Sequence, residues 1–292
     1  RESMLAYYGA IQKQDQIFGK AVRTLENERL LADTVVIYTS DNGWQMPRGL
    51  ANCYDGGTRI PLAVRWGGRI GASQVDDFVN LIDFAPTILE LAGVEVPSPM
   101  IGRSFLGTLF GEKDSSRGQH VFLERERHAN VRENNMSYPV RAIRTRDFLY
   151  LWNLRPDRWP AGDPNAWMSV GDFGDVDGSW AKAFILDNRD DPSIRHFFEL
   201  NFGKRPEEEL YDLRKDPYQV SNVAEEPAYA EPRRQLRSRV KQWMESTDDP
   251  RVDPDFDQWD DYPYFGNTVF QEDGPRKPRR MPWLARKKVL GR

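Results

Sequence analysis

VVIYTSDNGWQMPRGLANCYDGGTRIPLAVRW, residues 35–66, decides the reading of this chain. Val35-Val36-Ile37-Tyr38-Thr39 is a short, continuous, β-branched run of the kind that forms a central strand buried on both faces. It stops at Asp41-Asn42-Gly43. A loop follows with Arg48, the single cysteine Cys53 and Gly56-Gly57, and a second apolar run begins at Ile60 with Pro61 at its edge.

Working outward, Met4 to Arg29 reads as an amphipathic helix. Met4, Tyr8, Ile11, Phe18, Val22 and Leu25 recur mostly at three- and four-residue steps, and Ser3 stands as an N-cap. Downstream, Asp83 is placed to cap a helix over about Phe84 to Leu91, which Gly93 would end. Helix, strand, loop, strand, helix is an α/β pattern with a largely parallel sheet.

The character changes after the charged linker at Gly111 to Arg117. HVFLERE, YPVRAIRT and DFLYLWNL alternate as antiparallel strands do, and Glu208 to Leu213 adds a fourth. Arg155 to Pro192 is rich in Pro, Gly, Asp and Trp and reads as long loops. Ala228 to Thr247 is a helix with Leu236, Val240 and Trp243 on one face, set to cover one face of the antiparallel sheet. The expected divisions are therefore an α/β part over 1–110, a smaller α+β part over 117–250, and a polar, Pro-rich extension with a basic tail over 251–292.

The bulk numbers exclude some classes. Among 292 residues, 39% are hydrophobic and 29% charged, which provides for a globular core. A net charge of −4 gives no argument for nucleic acid or a membrane surface as partner, and no apolar run approaches a bilayer span. One cysteine makes no intrachain disulfide. Position 1 is Arg, inside the pattern of the first helix, so the chain reads as part of a longer protein.

In open α/β sheets, ligands sit beyond the carboxyl ends of the strands. Asp41 and Asn42 stand at such a place. A carboxylate beside an amide carbonyl offers two hard oxygens, suited to Ca²⁺ or Mg²⁺. Asp-Asn-Gly is equally a favoured turn. Arg48 and Arg59 follow; cations beside a divalent metal suit an anionic ester such as a sulfate or phosphate, and they are also common as solvated loop residues.

At this point the chain resembles the sulfatases of the alkaline-phosphatase-like superfamily. The matching segments are Thr39-Ser40-Asp41-Asn42-Gly43, Tyr54-Asp55-Gly56-Gly57-Thr58-Arg59-Ile60-Pro61-Leu62, Arg65-Trp66, Leu81 to Gly93, and RPEEELYDLRKDPYQVSNVAEEP from Arg205 to Pro227. Within that family it is most similar to the heparan N-sulfatase branch and its bacterial relatives, through Pro47-Arg48-Gly49-Leu50-Ala51-Asn52-Cys53-Tyr54, Tyr138-Pro139-Val140-Arg141, and the segment from Trp243 through Thr247 to Asp249-Pro250. The resemblance implies the C-terminal part of an alkaline-phosphatase-like, mostly parallel α/β sheet flanked by helices, followed by an α+β subdomain with an antiparallel sheet. It implies a Ca²⁺-dependent hydrolase that removes O- or N-linked sulfate from carbohydrate with a formylglycine nucleophile, in an extracytoplasmic compartment. Asp41 and Asn42 would be two of the metal's protein ligands.

Two departures stand out. The C-x-P-x-R motif of the nucleophile is absent, and Cys53, followed by Tyr54-Asp55-Gly56-Gly57, reads as a small buried hydrophobe. The nucleophile, the remaining metal ligands and further basic residues would precede Arg1, so this chain alone is expected to be inactive. Second, Leu50 occupies the loop position where the family carries a cation, and Arg48 is the candidate substitute. A non-catalytic sulfoglycan-binding protein and a two-metal phosphoesterase of the same superfamily are the alternatives.

His128, in ERERHANVR, is a candidate for sugar binding or for protonating the leaving group, beside a bland reading as a loop histidine. Glu126 and Arg127 are weaker candidates. Arg141 is a candidate substrate contact or a strand arginine in an ion pair. His120 and His196 read as structural. Trp44, Trp152, Trp159 and Trp167 are candidates for stacking on sugars or for packing. The tail cations from Arg276 to Arg292 read as a solvated segment, beside a reading as an attractor of polyanionic glycans or nucleic acid.

Overall fold

The computed structural model describes residues 2–112, 117–165 and 171–263. In chain order its helices are α1 (Glu2–Asn27), α2 (Asp55–Thr58), α3 (Phe84–Leu91), α4 (Leu106–Leu109), α5 (Trp180–Asp187), α6 (Pro192–Phe202) and α7 (Ala230–Ser246). Its strands are β1 (Val35–Thr39), β2 (Leu62–Trp66), β3 (His120–Arg125), β4 (Val140–Thr145), β5 (Phe148–Asn153) and β6 (Glu208–Asp212). They fall into two compact units. One draws its described residues from Arg1–Asp41 and Ile60–Val121, the other from Asn42–Arg59 and Phe122–Arg292.

In the first unit, β1 and β2 form a two-stranded antiparallel ladder, with Val35 opposite Trp66 and Thr39 opposite Leu62. The expected parallel pairing does not occur here. A parallel return needs a crossover, usually an α-helix. Residues 40–61 contain only the four-residue α2, so the chain doubles back beside itself. Nor is β1 fully buried: four of its five residues are only partly covered. The predicted helix stripe is likewise half used. Phe18 meets the Tyr38 ring edge-on at 4.8 Å, while Tyr8 and Ile11 are exposed. A 26-residue helix is about 39 Å long, and a two-stranded ladder of five-residue strands is too short to cover it.

Asp83 organises the rest of this unit. Its carboxylate does not cap α3. It accepts from Asn80 N at 3.0 Å and Arg103 N at 2.8 Å, and pairs with buried Arg117 at 3.0 Å. Helix α3 spans Phe84–Leu91 as predicted, and Gly93 follows with a left-handed φ of 68°.

The second unit is built on the four-stranded sheet β3-β4-β5-β6, whose strands coincide with the alternating runs in the sequence. β5 pairs antiparallel with both β4 and β6. Alternation sorts the side chains. Ile143, Tyr150 and Leu210 pack with Leu236, Val240 and Met244 of α7. Val140, Ala142, Leu149, Leu151 and Tyr211 pack with Cys53 and Tyr54 of the 42–59 loop. Thus α7 covers one face, as expected, and the loop that leaves Asn42 covers the other. At about 25 cal/mol per Å², burying residues of this size stabilises the unit by ~1.5–3 kcal/mol each.

The segment read as long loops is partly helical. Ser179 Oγ accepts from Lys182 N at 3.1 Å and starts α5, and Asp191 caps α6. Phe173, Val176 and Phe202 make a third apolar cluster there. The extension after 250 docks through ion pairs, Arg251 with Glu126 at 2.8 Å and Arg158 with Asp260 at 2.7 Å. Trp167 and the tail cations lie outside the described residues.

Candidate functional site

The tip that follows β1 is fixed by backbone pairing. Gly43 N donates to Gly57 O at 2.9 Å and Trp44 N to Gly56 O at 3.0 Å. A Cβ on Gly43 would stand 2.1 Å from Gly56 O, and one on Gly57 would stand 2.4 Å from both Asn52 O and Gly49 O. Only glycine allows the two segments to approach this closely. The Asp-Asn-Gly sequence is therefore more than a free turn: Asn42 is held immediately before a clamped backbone. The Asp41 side chain is exposed and makes no hydrogen bond or ion pair among the described residues.

The same pairing brings Arg59 two residues beyond Gly57. Arg59 is exposed, and its guanidinium has no partner among the described residues. Arg48 is placed differently from expectation. Its Nη1 donates to Leu200 O at 3.0 Å, its Nη2 donates to Gln219 O, and its guanidinium lies 3.7 Å over the Tyr54 ring. Those contacts occupy the cation, because a planar guanidinium satisfies carbonyls at its edge and a ring at its face. Arg48 fastens the loop to its unit and does not present a cation to a ligand. Asp55 fastens it too, pairing with Arg144 at 2.9 Å.

Cys53 is buried in the core cluster, and burial pushes its thiol up to about 11, against the lowering effect of Arg125 and Arg141. A neutral thiol in such a setting is inert as a nucleophile.

His128 is 39% exposed at the side chain, and its Nδ1 lies 3.0 Å from Asp175 Oδ1. Asp175 is buried, and its Oδ2 receives Arg125 Nη2 at 2.6 Å and Arg132 Nη2 at 2.7 Å. Burial alone would raise the Asp175 carboxyl. Arg125, the His128 hydrogen bond and Arg132 outweigh that and hold it down at about 2. A permanently ionised Asp on Nδ1 fixes the ring orientation and leaves Nε2 without a hydrogen bond among the described residues. Local sequence gave no sign of Asp175, Arg125 or Arg132, since Asp175 lies 47 residues from His128 in an irregular segment.

Arg141 corrects the other expectation. It is fully buried, pairs with Asp249 at 2.5 Å and Glu126 at 2.8 Å, and donates to Arg125 O and Val140 O. It is a structural ion pair. Trp152 bonds Glu207, and Trp159 packs on Phe173; Trp44, 38% exposed, is the open one of the three that are described. Among the described residues no three His, Cys, Asp or Glu side chains gather as a metal site. Asp41 and Asn42 fit a hard cation in kind and supply part of its shell.

The sulfatase family profile matches residues 1–94, and the profile for the C-terminal region of N-sulphoglucosamine sulphohydrolase matches residues 48–163. Each covers less than half of the chain, and over both stretches the chain resembles the sulfatases. Its fold is the mixed α/β, alkaline-phosphatase-like fold of sulfatases. It is 29% identical over 289 residues to human N-sulphoglucosamine sulphohydrolase, covering 86% of this chain and 49% of that protein. It is 26% identical over 255 residues to an ulvan-active sulfatase of Formosa agariphila, covering 85% and 39%. In fold it resembles a solved structure in complex with its substrate D-glucosamine-2-N,6-O-disulfate, with a TM-score of 0.52, 22% identity, and 82% and 40% of the two chains covered. The chain spans about half the length, or less, of the curated sulfatases it matches.

Proposed function

We propose that this chain serves a sulfatase that removes sulfate from carbohydrate by hydrolysis. The observation that carries the reading is the Asp41-Asn42 tip, clamped through Gly43 to the Gly56-Gly57 turn that leads to Arg59, whose guanidinium has no partner among the described residues. A carboxylate and an amide oxygen would hold part of a Ca²⁺ shell, and the ion, when bound, would neutralise charge on a sulfate group. Arg59 would add a cation on the same strand-tip turn, the role that Arg48 cannot fill and Leu50 does not. His128, oriented by Asp175, is the proposed group for moving a proton at Nε2 to a leaving oxygen or nitrogen, or for binding the sugar. The likeness to a glucosamine sulfohydrolase and to ulvan-active sulfatases supports a sulfated saccharide as substrate and an extracytoplasmic setting.

The formylglycine expected of such chemistry has no source in Cys53, which is followed by Tyr54-Asp55-Gly56-Gly57 and not by the C-x-P-x-R pattern. The 292-residue chain alone is therefore expected to be inert toward an aryl sulfate, and turnover above background would remove that part of the reading. Expression of the complete reading frame, with sulfate release measured over a panel of N-sulfated and O-sulfated saccharides, tests the rest. Release from at least one saccharide is expected. Release of phosphate from phosphoesters, with none of sulfate, would favour the phosphoesterase alternative. Saccharide binding with no release would favour the non-catalytic one, which Leu50 motivates.

A further inference from the structure

The turn at 173–176 carries Asp175, and two sets of contacts hold it. One is backbone: Phe173 N donates to Asp163 O at 2.9 Å and Asp175 N to Ala161 O at 3.0 Å. The other is a side chain. Lys182 Nζ, on α5, donates to Phe173 O at 2.9 Å and to Val176 O at 2.7 Å. Those two carbonyls bracket Asp175 in the chain.

Local preference does not give the turn this shape. Phe173 has a left-handed φ of 51°. A bulky L-residue keeps that conformation only where its surroundings over-determine it, and such strain gathers at functional sites. The Phe173 ring sits in the third apolar cluster, 5.0 Å from the Phe202 ring and 5.8 Å from that of Trp159. Lys182 is a costly residue for this setting. It is 7% exposed and lies on the same face of α5 as Ile185 and Leu186 of that cluster. It meets no carboxylate at ion-pair distance among the described residues. An apolar side chain would fill the place more favourably, but it would lack the two donors that close the turn. Burial pulls the Lys182 ammonium down to about 8, against Asp172, Asp177 and Asp175. Ammonium and amine alike have an N–H for each carbonyl, so the clamp holds through that titration.

We propose that Lys182 is a positioning residue, which sets the 173–176 turn so that Asp175 faces His128 and dictates the tautomer of its ring. The assignment rests on the reading of His128 as the proton-moving group. An ionised Asp175 only accepts hydrogen bonds, so the neutral ring carries its proton on Nδ1 and presents a bare Nε2. Without the Lys182 clamp, Phe173 relaxes out of the left-handed region and Asp175 loses its aim.

The test is imidazole nitrogen NMR of the protein with the ring neutral. The chain has three histidines, and a spectrum of His128→Gln assigns the signals. The parent should show His128 protonated at Nδ1. Lys182→Met should move at least about half of the population to the Nε2–H form that free imidazole prefers. Lys182→Gln matches Met in length and keeps an amide donor for one of the two carbonyls, so its spectrum should fall between those two. The imidazole signals report the aim of Asp175 whether or not the complete protein releases sulfate, so the two readings fail separately. A parental imidazole spectrum in either folded variant, even beside a lower melting temperature, would overturn the assignment and leave Lys182 a packing residue.

Discussion

His128 Nδ1 and Asp175 Oδ1 lie 3.0 Å apart, with the far oxygen of Asp175 closed off by two arginines. This arrangement makes Asp175 a structural anion first. Asp175→Asn should cost roughly 3–5 kcal/mol, because it leaves buried Arg125 and Arg132 without a counter-charge. The loss should appear as a lower melting temperature.

The pH dependence has a definite sign. The Asp175 carboxyl is held at about 2, below its ordinary 3.8. A depressed carboxyl contributes stability that is fully present above the unfolded value and is lost as pH falls toward the folded one. Asp175→Asn should therefore flatten acid unfolding between pH 4 and 2, when melting temperatures of the two proteins are compared across that range. An unchanged acid limb would show that other carboxylates control it.

Arg48 and Arg59 should separate stability from function. Arg48→Ala removes two bonds to carbonyls and a ring contact, and should destabilise the protein by about 2–3 kcal/mol. Arg59→Ala touches no described partner, so its melting temperature should hold within about a degree while sulfate release falls at least ~100-fold. The crossed comparison of melting temperature and kcat/KM checks both.

Arg141→Met should leave Asp249 without a side-chain counter-charge and Glu126 with Arg251 alone, and should lower stability by ~3–5 kcal/mol, measured by urea unfolding. The KM of whatever variant stays folded should match that of the parent.

Much of the fold was legible because periodicity is a local signal. The four strands of the second sheet, α3 and α7 all follow runs whose alternation or helical spacing is set by which side faces the core. Pairing partners are not local. Nothing in Val35–Thr39 states that its neighbour runs antiparallel, and nothing near Ser179 marks α5 amid Gly, Asp and Trp. The same limit applies at the site. Asp41, Asn42 and Arg59 stand out in one loop, but the carbonyls that occupy Arg48 belong to Leu200 and Gln219, over 150 residues away. Asp249, which pairs with Arg141, lies 108 residues from it, and Asp175, which orients His128, lies 47 residues away.

The central claim is that the Asp41-Asn42 tip holds a metal for sulfate hydrolysis, and the most direct measurement is Ca²⁺ binding and sulfate release by the complete reading frame, with and without Asp41→Ala. Because Asp41 is exposed and has no described partner, the variant should melt within about a degree of the parent. It should bind Ca²⁺ at least tenfold more weakly and release sulfate at least ~100-fold more slowly. A folded Asp41→Ala protein with parental Ca²⁺ affinity and parental sulfate release would contradict the account.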